Sequence, residues 1–231
     1  MLFHNPSFLF IFLPIVFCGY FAFPKKIRFW FLIFSGFIFY AAWNIKLSPL
    51  ILFSIIINFF LCKFLLNSQN KNNKKIFLIG SITFNIFYLG LFKYADFFIG
   101  NINFLTNSNF ELWELPFPLA LSFVTFQTIA FICDCYEDNI NDFSFKKYAL
   151  FIIFFPQLIA GPIVKFNMMI NQFESSKNEI INFKNIIIGL IVLSIGIIKK
   201  VFIADNLSIF SDELFALNDN FNFFETWIGT F

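Results

Sequence analysis

Seven apolar runs follow one another along this chain with little charge inside any of them, and that pattern leaves few folds open. They fall at 7–23, 29–43, 47–66, 76–92, 115–136, from 148–155 onward, and 186–198. Of the 231 residues, 59% are hydrophobic and 13% charged, against about 25% charged in an ordinary globular domain. A soluble domain of this length needs more polar surface than that, so the bulk of the chain sits in lipid. There the backbone must satisfy its own hydrogen bonds, which favours helices. The expected fold is an all-α, polytopic bundle with six to seven transmembrane helices.

The first run has no charged segment before it and no small-residue cleavage site after it, so it reads as a retained helix, mildly interrupted by Pro14, and not as a signal peptide. Asn44-Ile45-Lys46 suits a tight helical hairpin between the second and third runs. The fifth is expected to begin at Pro116 and Pro118, since early helix N–H groups have no partner to lose. The seventh is short for a full crossing and ends at Lys199-Lys200, and the tail to Phe231 is mixed in polarity and suits an interface. Lys25, Lys26 and Arg28 crowd one connection, and Lys63, Lys71, Lys74 and Lys75 another, while Lys46 stands alone between them and 93–114 mixes Lys93 with Asp96, Glu111 and Glu114. Basic residues gather on cytoplasmic loops, which places the first two connections inside and the N-terminus outside.

Net charge is +2 with no long basic run, so nothing suggests nucleic acid. Cys18, Cys62, Cys133 and Cys135 lie in or beside apolar segments without zinc spacing or a nearby histidine, as small buried apolar side chains would, and no metal site is expected. The 43 phenylalanines occur throughout, alongside abundant Ile, Asn and Lys, which share A/T-rich codons. That reads as Phe standing where Leu would serve. An aromatic ligand cage would need clustering at particular positions.

The sixth run is broken by "FFPQLIAGPIVKF" at 154–166. Pro156 and Pro162 lack N–H groups and disfavour helix before them, and Gly161 permits conformations other residues avoid. The stretch reads either as a helix stop, short buried turn and restart lining a cavity, with Gln157 inside and Lys165 near the mouth, or as a proline kink or surface loop. On the fifth run, Gln127, Ala130 and Asp134 are spaced to share one face. A carboxylate in a membrane helix is a candidate functional group, although Asp134 is close enough to the helix end to reach headgroups. Lys199 and Lys200 read as snorkelling anchors or as contacts for an anionic ligand or partner.

Taken in order, several stretches resemble the bacterial branch of the membrane-bound O-acyltransferase family, which acts on alginate or peptidoglycan. These are "FLFIFLPI" near the start, "FKYADFFIGNIN" at 92–103, "PLALSFVTFQTIAFICDCY" at 118–136, "FFPQLIAGPIVKF" followed by "NQF" at 171–173, and "IKKVFIADNLS" at 198–208. Against the family's P-x-G-[IL]-S-F-x-x-F…D-x-Y pattern, Pro118, Ser122, Phe123, Phe126, Asp134 and Tyr136 match, and Ala120 replaces the usual glycine. The resemblance covers essentially the whole chain. It implies a multi-pass protein of the bacterial inner membrane that carries an acyl group from a cytoplasmic donor, acetyl-CoA or another acyl donor, toward a hydroxyl of an envelope polysaccharide or a periplasmic acetyltransferase partner. It also marks Gln127, Asp134, Tyr136, Gln157, Gly161, Pro162, Lys165, Lys199, Lys200 and Asp205 as cavity-lining or signature candidates.

One departure matters. The sole histidine is His4, ahead of the first run, whereas the family's catalytic histidine follows a "W-R-x-W-H" motif that is not in these residues. Acyl transfer to a hydroxyl needs a group that takes the proton near neutral pH, and nothing beside Asp134 equips it for that role. The chain is therefore expected to be the N-terminal part of a single acyltransferase domain, inactive alone and with Asp134 and Gln157 poorly shielded. The competing reading is a non-catalytic membrane module that binds an envelope partner, or a transporter fragment. Transporters show paired broken spans in corresponding halves, and only one break stands out here.

Overall fold

The computed structural model describes residues 3–140, 143–159, 161–216, 223, 224 and 227, and every regular element among them is helical. The reading of the tail as interfacial falls mostly outside the described residues. The chain divides into two compact units, one of Val16–Glu179 and one of Leu2–Ile15 with Ile180–Phe231.

Helix α1 (Leu13–Ala22), part of the first unit from Val16 on, leads through Pro24 into α2 (Lys25–Ala41). A 3-10 turn, Ile45–Leu47, opens α3 (Ser48–Asn67), whose Pro49 occupies the first turn, where a missing N–H costs nothing. The Asn70 side chain accepts the Asn72 N–H and starts α4 (Lys71–Thr106). At 36 residues this helix is about 54 Å long, well beyond the roughly 30 Å of bilayer hydrocarbon. The run at 76–92 is only its middle. No proline interrupts 71–106, and polar side chains in the last turns bond back onto the helix, Asn101 to the Phe97 carbonyl and Thr106 to that of Ile102. Asn107 ends it with φ 49°.

The segment after α4 folds back on it. Asp96 accepts the Trp113 and Glu114 N–H groups, and Asn103 bonds both the N–H and the carbonyl of Phe110. Pro116 and Pro118 belong to this irregular segment. The fifth helix, α5 (Leu121–Tyr136), starts at Leu121, after Ala120 at φ 58°. That left-handed backbone explains the glycine expected at this position: an L side chain there costs about 1–2 kcal/mol. Ala120→Gly is expected to stabilise the protein by about 1 kcal/mol, raising its melting midpoint in detergent by roughly 2–4 °C.

Next come α6 (Phe145–Ile153), a single turn α7 (Phe155–Leu158), and α8 (Phe166–Glu174). With nine residues, α6 spans only about 14 Å and cannot cross a bilayer. Tyr148 to Ile153 are all buried, so α6 is the interior pillar of the unit. Around it Phe131 packs its ring 4.8 Å from Tyr148 and 4.9 Å from both Phe143 and Phe166, the edge-on and tilted geometries that aromatic rings prefer. Here the phenylalanines are clustered, as a packed core. Cys62 and Cys135 are buried and Cys133 is half-buried, but Cys18 is exposed, against the expectation for all four.

In the second unit, Phe8–Phe12 is a π-helical turn, and α9 (Phe183–Ile198) starts at an Asn182 cap. It does not end at the lysines. A π-helical stretch, Lys199–Ala204, carries it into α10 (Asp205–Ala216), and Phe183–Ile209 forms an apolar helix of 27 residues. Together with Ile45–Asn67 and Lys71–Thr106, it is one of three helices among the described residues that are long and apolar enough to cross a membrane, and Phe8–Ala22 and α5 are shorter apolar helices. The chain is an all-helical, multi-pass membrane protein, and the six to seven runs include segments shorter than a bilayer.

Candidate functional site

The broken segment builds a polar knot at the end of α6. Phe154, with ψ 106°, turns the chain out of the helix, and Pro156 offers no N–H. The Phe154 N–H still closes on the Leu150 carbonyl at 3.0 Å, but the Phe151 carbonyl is left without a helical donor. Helix ends leave such orphans, and burial makes an unpaired one costly. Two glutamines supply the donors. Gln127 Nε2 from α5 reaches the Phe151 oxygen at 2.9 Å, and Gln157 Nε2 from α7 reaches it at 2.8 Å and lies 3.3 Å from Met169 Sδ.

Gln127 is fully buried, and its Oε1 has no hydrogen-bond partner. The knot therefore holds two amide donors on one carbonyl and one unused acceptor. It can orient a hydroxyl or N–H group. Its described partners are two amides, a carbonyl and a thioether, none of which titrates near neutral pH. Gln157 is half-buried and, with Gln127, donates to the carbonyl that the end of α6 leaves open.

From Ile159 to Lys165 the described residues of the interruption are half-buried or exposed. Gly161 takes φ 139°, which its lack of a Cβ allows, but Gly161, Pro162 and Lys165 are exposed. The buried part of the turn is Phe155 and Leu158.

The face expected to join Gln127, Ala130 and Asp134 divides. Ala130 is exposed, and the buried stripe of α5 runs through Val124, Gln127, Thr128, Phe131 and Cys135. Asp134 lies two turns on, half-buried in the last turn, where Asn139 Nδ2 approaches its Oδ1 at 3.3 Å. It belongs to a charged end of the unit assembled from distant parts of the sequence. There Lys74 pairs with Asp138 at 2.5 Å and sits over the Tyr136 ring, Lys147 pairs with Glu174 at 2.6 Å, and Lys146 lies over Phe29. Lys25 pairs with Glu179 there too.

In the second unit, Lys199 and Lys200 sit inside the long helix, not at its end. The π-helical turn sets residues five apart on one side, and Lys200 Nζ pairs with Asp205 Oδ1. Ionisable groups within an apolar helix, at a π-bulge, are a recurring mark of function.

A second polar contact escaped the sequence reading. Asn58 on α3 and Asn85 on α4, both buried, exchange amide hydrogen bonds of 3.1 and 2.6 Å. Each also bonds the carbonyl four residues back, Asn58 that of Ser54 and Asn85 that of Ser81. The signal was there: S-x-x-x-N occurs at 54–58 and again at 81–85.

Apolar spanning helices, an interior polar knot and one charged end define a polytopic membrane protein with a polar interior. Residues 31–229 match the model of MBOAT, the membrane-bound O-acyltransferase family, and the chain belongs to that family. It is 39% identical to the peptidoglycan O-acetyltransferase of Helicobacter pylori, over 99% of this chain and 49% of that protein. It is 30% identical to the probable alginate O-acetylase AlgI of Azotobacter vinelandii and 32% to that of Pseudomonas syringae pv. tomato, over 99% of this chain and 46% and 45% of theirs. The chain spans about half the length of the curated relatives it matches. No solved structure matches it.

Proposed function

We propose that these residues form the N-terminal part of a single membrane O-acetyltransferase domain that passes an acetyl group across the bacterial inner membrane to an envelope polysaccharide, peptidoglycan before alginate. The higher identity to the peptidoglycan relative supports that order. The donor is acetyl-CoA on the cytoplasmic side, and a periplasmic partner receives or completes the transfer. The charged end of the first unit faces the cytoplasm, because basic residues gather there, and the N-terminus is periplasmic.

The observation that carries the reading is the knot on the Phe151 carbonyl. It gives the broken segment a buried polar centre in which the Gln127 Oε1 accepts no hydrogen bond. The proton-accepting group must come from outside these residues: His4 is the only histidine, and Asp134 stands away from the knot. On this reading the chain alone does not catalyse acetyl transfer.

A chimera tests it. The 231 residues replace the aligned part of the Helicobacter relative, and base-releasable acetate is measured on peptidoglycan from a strain lacking its own enzyme. The chimera is expected to restore acetate and the chain alone to give none. Acetate from the chain alone, or an inactive but folded chimera, would sink the proposal. In the active chimera, Gln127→Leu is expected to lower acetate by about tenfold or more while the protein level holds, the scale of losing one positioned hydrogen-bonding group.

A further inference from the structure

Helix α4 outreaches its neighbour. It runs antiparallel to α3 with Asn85 beside Asn58, so Ser48, the first residue of α3, comes level with about residue 95 of α4. From there α4 continues to Thr106, about 16 Å further and away from the lysines at its start. The two sides of this outer end differ. On one, Asp96 and Asn103 hold the returning segment by the backbone of Phe110, Trp113 and Glu114. The other carries Phe97, Phe98, Ile102, Phe104 and Leu105, all exposed, the last two at 83% and 78%.

The exposed side continues the face that the crossing part of the helix turns outward. Ile79, Ile86 and Phe87 are exposed within the apolar run, and Tyr94, Phe98, Ile102 and Leu105 follow them along the same side at helical spacing. In a crossing helix such side chains meet acyl chains, and the stripe runs on from that contact. No charged residue stands between Asp96 and Glu111.

The face also offers a protein partner little to read. Asn101 Nδ2 and Thr106 Oγ1 donate back to the Phe97 and Ile102 carbonyls, whereas protein interfaces carry about one hydrogen bond per 100–200 Å². A lipid surface needs none. From Ile76 to Leu105 the stripe is about 44 Å long. That exceeds the hydrocarbon layer, roughly 30 Å, and matches a bilayer with its headgroup regions, roughly 40–45 Å. Tyr94, and Trp113 held at Asp96, are exposed at the outer end, and such rings gather at the headgroup level.

We propose that the outer end of α4, Phe97 to Leu105, is a contact with the lipid surface: its apolar side lies in the headgroup and upper acyl region of the leaflet remote from Lys71 and Lys74, and the returning segment rides on its polar side.

The test uses the full chain in vesicles of phosphatidylethanolamine and phosphatidylglycerol. Cys18 and Cys133 are replaced by serine, Cys62 and Cys135 being buried, and a nitroxide is attached at one introduced cysteine at a time. The variants are Phe98→Cys and Leu105→Cys, with Ile86→Cys in the apolar run and Lys71→Cys at the helix start as references. Oxygen concentrates in lipid and a nickel chelate in water, so the ratio of their effects on the nitroxide reports what each site touches. The Phe98 and Leu105 sites are expected to favour oxygen several-fold more than the Lys71 site does, as the Ile86 site should. Both side chains are exposed, so neither replacement opens the core and either site alone decides. A nickel response there equal to that at Lys71 would put the face in water, and shielding from both reagents would put protein over it. Each of these results overturns the assignment.

Discussion

Gly36→Ala is expected to destabilise the protein by about 3 kcal/mol, the upper range for forcing atoms into a packed core. In a chain of this size that lowers the melting midpoint in detergent by roughly 6–12 °C. The cause is local and severe. A Cβ on Gly36 would stand 2.1 Å from the Ile153 carbonyl oxygen, a backbone atom that no rotamer change can move aside. Ile153 is the last residue of α6, so α2 lies directly on the helix end where the Phe151 carbonyl is held. Pushing the two helices apart also pulls Phe39 of α2 from Phe155 of α7, whose rings are now 5.7 Å apart. Gly80→Ala is the control. Nothing lies within 4 Å of that position, and in a helix interior alanine outranks glycine by about 0.5–1 kcal/mol, so the midpoint is expected to hold or rise slightly. Equal midpoints for Gly36→Ala and the parent would show that α2 does not pack on α6 this way.

Much of the architecture was legible because membrane physics leaves few choices. Helical runs and the break at Phe154–Pro156 follow from apolarity and the missing proline N–H. What misled is equally physical. The length of α4 is invisible to a hydropathy reading, since Asn101 and Thr106 lower the local apolarity while bonding back onto the helix. Pro116 and Pro118 fit a helix start by local rules, but the side chains of Asp96 and Asn103, from the preceding helix, hold the chain irregular up to Ala120. The lysines of 199–200 looked terminal because a π-helical turn has no reliable sequence mark. Within the candidate site, the sequence singled out both glutamines, but not their shared target, because a carbonyl freed by a helix break carries no letter of its own.

The contact between α3 and α4 gives the second large effect. Asn58→Leu is expected to cost about 2 kcal/mol, although leucine suits a membrane helix better than asparagine. The loss has two parts. Interhelical hydrogen bonds in membranes contribute about 0.6 kcal/mol on average and up to about 1.7, and two are lost at once, those of 3.1 and 2.6 Å between the amides. The second part falls on Asn85. It keeps its bond to the Ser81 carbonyl at 2.8 Å, but its Oδ1 becomes a buried acceptor with no donor, at a cost of about 1–3 kcal/mol. Asn58→Leu with Asn85→Leu removes both partners, so no orphan remains, and the double variant is expected to melt above either single one. That reversal separates a polar clamp from simple packing, where a second enlargement in the same buried place would add to the damage. Thermal unfolding of the four proteins in one detergent gives the cycle, and additive losses would mean that the two amides do not meet. The clamp ties the 36-residue helix to its neighbour, and through Asp96 and Asn103 that helix holds the segment leading into α5 and Gln127. The polar knot thus depends on two asparagines that never touch it.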